Sequence, residues 1–162
     1  MNINPLVNHM EGNWLIQTTI YDLSKCRLKN KSQQVLCQQI NKDSKQLKVF
    51  KDRIDKSYVQ LQFYSLKHNF NPASREIYLL FLYEKGLNQG SIVKYTYDNK
   101  IINNYVFFIN HNNHIHIKSV CKSLDIIEDI YFINSKFKVT KSTINKNNQC
   151  IAICFSSKIK MN

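Results

Sequence analysis

Three glycines and two prolines in 162 residues leave this chain poor in turn specialists, and that poverty excludes several architectures. Three glycines cannot build a glycine-rich phosphate loop, and no nucleophile elbow or other enzyme motif of fixed spacing occurs. The five cysteines (Cys26, Cys37, Cys121, Cys150 and Cys154) are odd in number and never stand in C-x-x-C spacing. That pattern fits reduced thiols in a cytosol-like compartment better than a disulfide framework. Cys150 and Cys154 would share a strand face, without the further ligands a metal centre needs. No apolar run approaches the roughly 18 residues of a membrane span. The opening "MNINPLVNHMEG" carries no basic or apolar targeting segment, so the chain is expected to work where it is made. Acidic residues are scarce as well: 11 against 23 basic ones, for a formal charge of +12. Such a charge favours encounters with anionic partners. The lysines are dispersed without a basic block, and part of the Lys and Asn load is what AT-rich codons supply. A dedicated nucleic-acid binder is therefore not expected; a solvated surface, or one that meets an acidic protein, is.

What is present is strand. With 43% apolar and 12% aromatic residues the chain can bury one core, and residues 1–162 read as a single domain. Asn4, Pro5 and Gly12 punctuate a short N-terminal helix with Leu6, Val7 and Met10 on its apolar side. "NWLIQTTIYDL" then opens a series of β-branched and aromatic runs. A turn at "KNKS" leads to "QQVLCQQI". "KQLKVFKDRI" is the one later stretch with helical periodicity. There follow "SYVQLQFYSL", "REIYLLFLY", "SIVKYTY", "IINNYVFFI", "HIHIKSV", "DIIEDIYF", "FKVTKSTI" and "QCIAICFSSKI". The connections are short and polar, with no helical crossover between successive strands, which excludes βαβ topology. About ten antiparallel strands in meander order after a short helix predict an all-β, lipocalin-like up-and-down barrel that can enclose one small ligand. A two-sheet sandwich is the alternative.

Three constellations bear on chemistry. His111, His114 and His116 cluster in "HNNHIHIK", but no acidic or cysteine ligand stands beside them in sequence. A solvated hairpin tip is expected and no metal. "QFYSLKHNF" supplies Phe63, Tyr64 and Phe70, which are core aromatics or, in a ligand-holding barrel, cavity walls. In "IEDIYFINSKFKVTKS" the outcome depends on the parity of the turn. A two-residue loop puts Glu128 on the face opposite Lys138. A three-residue loop gathers Glu128, Ile130 and Phe132 with Lys138, Thr140 and Ser142.

At this hairpin the sequence resembles the S-type phycobiliprotein lyases of the CpcS/CpeS family. "GNWLIQTT", "GSIVKYT", "EDIYFINSKFKVTKS" and "ICFSSKIK" carry the likeness in order along nearly the whole chain. The resemblance implies a barrel that holds a linear tetrapyrrole (a bilin) as bound substrate, with no prosthetic group. It also implies attachment of that bilin to a cysteine of an apo-phycobiliprotein. Glu128 matches the family's acidic residue near the pyrrole nitrogens and would be the catalytic carboxylate. Lys138, Thr140, Ser142, Tyr64 and Phe70 match its bilin-binding positions. Lys138 stands where the family has an arginine, Thr140 replaces a second one, Thr18 a third, Tyr131 a tryptophan and Ser156 a cysteine.

The residue types agree with that chemistry. A bilin offers a conjugated apolar body, two propionates and pyrrole N–H donors, which call for aromatic walls, a cation and a carboxylate acceptor. The nucleophile belongs to the acceptor, so this chain needs no catalytic thiol. The implied partners are phycoerythrobilin or phycocyanobilin, an apo-phycobiliprotein of phycoerythrin or phycocyanin type, and a second copy or related lyase subunit. The implied place is the plastid stroma of a red-lineage alga. A non-catalytic bilin or small-ligand carrier is the second reading, and a basic nucleic-acid-binding β-domain the third.

Overall fold

The computed structural model describes residues 9–40, 58–68, 76–84, 88–96, 98, 100–110, 113–119 and 123–162, with the backbone alone for 58–68. Ten strands follow one another: β1 (Gly12–Asp22), β2 (Arg27–Gln39), β3 (Tyr58–His68), β4 (Ile77–Glu84), β5 (Gln89–Thr96), β6 (Ile101–Asn110), β7 (His114–Ser119), β8 (Asp125–Asn134), β9 (Phe137–Lys146) and β10 (Gln149–Met161). Each pairs antiparallel with its neighbours in sequence, and β10 returns to β1, closing the barrel. The meander expected from the short polar connections is thus the observed topology, and the sandwich is excluded. Closure removes the sheet edges that a ten-strand meander would otherwise expose.

The expected N-terminal helix falls largely on residues 1–8, and the helical stretch "KQLKVFKDRI" wholly on 45–54; both lie outside the described residues. Gly12 does not close a helix but opens β1, with φ +136. Among the described residues no helix is long and apolar enough to cross a membrane.

Local chemistry explains the turns. The first one is not at "KNKS", which lies within β2, but at Leu23–Cys26. There the Asp22 carboxylate accepts hydrogen bonds from Ser24 Oγ at 2.7 Å and the Lys25 backbone N–H at 3.1 Å. A side-chain acceptor closing the chain two and three residues on is the Asx-turn mechanism, and it outweighs the polarity of "KNKS". Between β9 and β10, Asn147 and Asn148 both take positive φ, 50° and 62°, as a type I′ hairpin turn demands. Gly90 is required by close approach, since a Cβ there would meet the Leu82 carbonyl oxygen at 1.9 Å.

Alternation along the strands fills the barrel unevenly. Phe81, Tyr83, Ile92, Phe107, Ile109, Ile115, Ile130, Phe132, Cys37 and Trp14 pack together at the end that carries the β8–β9 turn. Phe107 meets Phe81 and Tyr83 edge-on, at 5.7 and 5.2 Å between ring centroids. Burying each such aromatic contributes on the order of 2 kcal/mol. This apolar plug fills much of one end of the barrel, and Trp14, Cys37, Phe81, Ile92 and Ile130 from it also line the space beyond.

Candidate functional site

A cavity of about 440 Å³ extends from the plug toward the opposite end. Trp14, Ile16, Val35, Leu79, Ile92, Tyr105, Ile117, Ile126 and Ile130 give it apolar walls, and into it point three lysines, Lys94, Lys138 and Lys158, with one carboxylate, Glu128. The volume lies in the ordinary range for small-molecule sites. The described cavity side chains therefore carry an excess of cations over anions.

The β8–β9 hairpin positions the charged groups. Its turn is the two-residue Ser135–Lys136, with Asn134 paired to Phe137, so the three-residue loop is not the solution used. The register instead shifts between Phe132 and Asn134, leaving Ile133 as an extra, bulged residue. One inserted residue has the parity effect of one more loop residue. Glu128 consequently pairs with Ser142, Ile130 with Thr140 and Phe132 with Lys138. The inward row expected for an odd loop is formed by a bulge and an even turn.

Lys138 is 4% exposed. Its ammonium lies 3.7 Å from the centre of the Trp14 ring and 5.6 Å from that of Phe132. It also donates toward Met10 Sδ at 3.8 Å. Among the described residues it forms no ion pair. Burial, helped by Lys158 and Lys160, lowers its pKa to about 7, although Cys37 and Glu128 pull the other way. The adjacent cation Lys158 is its direct cross-strand neighbour. Glu128 is half-buried and accepts a hydrogen bond from Ser142 Oγ at 3.2 Å. Ser142 therefore orients the carboxylate instead of presenting a free hydroxyl. Thr140 is 2% exposed, and its Oγ1 has no hydrogen-bond partner among the described residues. A buried hydroxyl left without a partner costs about 1–3 kcal/mol. Tyr64 lies on β3, in register with Gln39 and Leu79, and its side chain falls outside the described part. Phe70 lies outside the described residues altogether.

Sequence reasoning found Lys138 and Glu128 but passed over Lys94 and Lys158. Both stand in the quoted stretches "GSIVKYT" and "ICFSSKIK", and both lie on inward positions of their strands. Cys37 is a further lining residue, 3% exposed, whose thiol burial pushes up to about 11.

A second cluster lies on the outer wall. The expectation that His114 and His116 have no acidic neighbour is overturned by the register, which sets His116 directly opposite Asp129. Asp129 Oδ1 is 2.9 Å from His114 Nε2 and 2.8 Å from His116 Nδ1. Burial alone would raise the Asp129 carboxyl; the hydrogen bonds from His116 and His114 outweigh it and hold it below the ordinary range.

Fold and cavity together define a lipocalin-like barrel with a cationic interior. No protein-family model matches the chain. A chromophore lyase CpcS/CpeS homologue from Gracilaria tenuistipitata var. liui is 28% identical over 167 aligned positions, spanning 99% of each chain. The S-type phycobiliprotein lyase CPES of Guillardia theta superposes with a TM-score of 0.73 at 10% identity, covering 100% of this chain and 94% of that one. A protein of unknown function from the DUF3598 family of Nostoc punctiforme superposes at 0.59 and 9% identity, covering 96% of this chain and 49% of its own. The chain is thus similar over its whole length to a CpcS/CpeS chromophore lyase homologue, and its barrel shares the fold of an S-type phycobiliprotein lyase.

Proposed function

We propose that this protein is a phycobiliprotein chromophore lyase that binds a bilin in the barrel and joins it through a thioether to a cysteine of an apo-phycobiliprotein. The observation that carries this reading is the cavity's charge pattern, three lysines against one glutamate between apolar and aromatic walls. Such a lining suits a flat apolar molecule with two carboxylates and central N–H donors. Lys138 and Lys158, side by side, are the groups that would receive propionates. A carboxylate arriving beside Lys138 restores the protonated ammonium that burial disfavours, so ligand entry and proton uptake are linked. Glu128, held by Ser142, would accept pyrrole N–H bonds.

The reaction is an addition. The acceptor thiol adds across the ring A ethylidene, a C–S bond forms, and the thiol proton ends on the adjacent ring carbon, with nothing oxidised or lost. Glu128 is the group placed to pass that proton. The barrel contributes mainly positioning and exclusion of water from the ethylidene. Its own cavity thiol does not compete: only a thiolate adds, and Cys37, at about 11, stays protonated at neutral pH. The acceptor would be a phycoerythrin or phycocyanin type subunit, whose encounter with a +12 chain is favoured where it is acidic. The red-algal source of the sequence relative supports a plastid setting.

The test mixes the protein with phycoerythrobilin or phycocyanobilin and an apo-subunit. A bilin spectrum that survives denaturation on the acceptor supports the lyase. A bound spectrum with no covalent adduct identifies a non-catalytic carrier instead. Lys138→Ala and Glu128→Gln are each expected to slow transfer while the barrel stays folded; parental rates in both would refute the site.

A further inference from the structure

We propose that His114, His116 and Asp129 form a binding site for a divalent transition metal of the zinc class on the outer wall of the barrel. Strand geometry builds the site. His114 and His116, two apart on β7, project from one face, and the β7–β8 register brings Asp129 across from His116. The three ligand atoms, Nε2 of His114, Nδ1 of His116 and an Asp129 oxygen, lie within 4.8 Å of one another. Both imidazoles converge on the same oxygen, at 2.9 and 2.8 Å. Two imidazole nitrogens gathered about one carboxylate oxygen are the donor set of borderline divalent ions, and they discriminate against magnesium and calcium, which take oxygen ligands.

Two neighbours fix the orientation of His114. The Asn110 amide stands 3.0 Å from its Nδ1. As it stands the amide N–H donates to Nδ1 and Nε2–H donates to Asp129; a metal taking Nε2 would displace that proton, and the amide, turned to present its oxygen, would accept from Nδ1–H. This is the outer-shell contact that selects the tautomer of a metal-ligating histidine. On the other side the Tyr131 ring stacks on the imidazole at 4.5 Å and 7°. The three side chains are 16, 34 and 24% exposed, so an ion can enter and keep water on its remaining positions. The cluster is on the opposite face of β8 from Glu128, so it is separate from the cavity and does not depend on the chemistry proposed there.

Cobalt(II) titration of the metal-free full chain tests the proposal, with zinc displacing the cobalt. One equivalent should bind with a visible spectrum of nitrogen and oxygen ligation and without a thiolate charge-transfer band. His116→Ala and the near-isosteric Asp129→Asn should each weaken uptake by at least about tenfold. Zinc should raise the melting temperature of the parent chain but not of Asp129→Asn, because only a ligand bound to the folded state stabilises it. Unchanged affinity in both variants, a thiolate band, or no saturable uptake by the parent would each overturn the site.

Discussion

Glu128 and Asp129 are consecutive carboxylates on β8 with opposite surroundings, and strand parity alone separates them. Glu128 faces inward, held by one neutral serine hydroxyl, in a cavity that also contains Lys94, Lys138 and Lys158. Asp129 faces outward and takes two imidazoles on a single oxygen. The inner carboxylate belongs to a cavity whose described charged groups are mostly cations. The outer one is already hydrogen-bonded to both of its imidazole neighbours through one oxygen. A β-strand can thus carry two unrelated chemistries at adjacent positions, provided its register is fixed.

The most severe way to break the comparison is to disturb what fixes the register. Inserting one alanine between Tyr131 and Phe132 displaces Phe132 from its place opposite Lys138, because the extra residue at Ile133 already supplies the one step of parity that the even turn needs. Phe132 would turn toward solvent, or the hairpin must unpair. The expected loss is more than about 2 kcal/mol in denaturant unfolding, from exposure of a large buried side chain. Ile133→Ala, at a side chain 59% exposed, should stay within about 0.5 kcal/mol. Equal effects of the two changes would mean that the bulge does not set the faces.

A smaller effect sharpens the inner half. Lys138 is buried without an anionic partner among the described residues, and its pKa is lowered from 10.5 to about 7. Between those values the unfolded chain binds more protons than the folded one, so stability rises with pH there. Below about pH 7 the whole cost is present. The rise is cleanest between pH 7 and 9, because above the ordinary thiol value of 9.0 the raised Cys37 acts with the opposite sign. Over that window the gain should approach roughly 2 kcal/mol, reduced by whatever water the cavity admits. Lys138→Met should remove the slope and stabilise the protein at pH 7 by about 2 kcal/mol, since it replaces an unpaired buried ammonium with an apolar group. Urea melts at several pH values check both. Such a lysine is retained at the expense of stability, which fits a group reserved for an anionic ligand.

Much of this was legible in the sequence, for identifiable reasons. All ten strands follow from β-branched and aromatic runs between polar connections, and the up-and-down order follows from the absence of crossovers. The inward row Glu128, Ile130, Phe132 was readable up to one unknown, the parity of the turn, and the structure solves that parity with a bulge at Ile133 that no residue type announces. The first turn was misplaced because "KNKS" is polar, whereas the chain turns where Asp22 can close on Ser24 and Lys25. Asp129 was missed as the neighbour of His114 and His116 because cross-strand partnership depends on register and not on sequence distance. Lys94 and Lys158 were missed for the same reason: an alternating lysine is as compatible with solvent as with a cavity until the barrel closes.

The finest test substitutes each carboxylate by its amide, which changes charge and acceptor strength while keeping shape. Glu128→Gln should slow bilin transfer by about a hundredfold, the lower end of what one general acid–base group contributes, with the melting temperature nearly unchanged because the Ser142 hydroxyl can still bond the amide oxygen. Asp129→Asn should leave transfer within about twofold, because the residue faces away from the cavity, and should lower stability by less than about 1 kcal/mol, as a half-exposed hydrogen-bonded pair allows. Transfer assays and thermal melts on the two variants give the four numbers. If Asp129→Asn impairs transfer as much as Glu128→Gln, the outer cluster communicates with the cavity and the separation by strand face is wrong. If neither impairs it, the inner carboxylate is a structural partner of Ser142 and the proton must pass through another group.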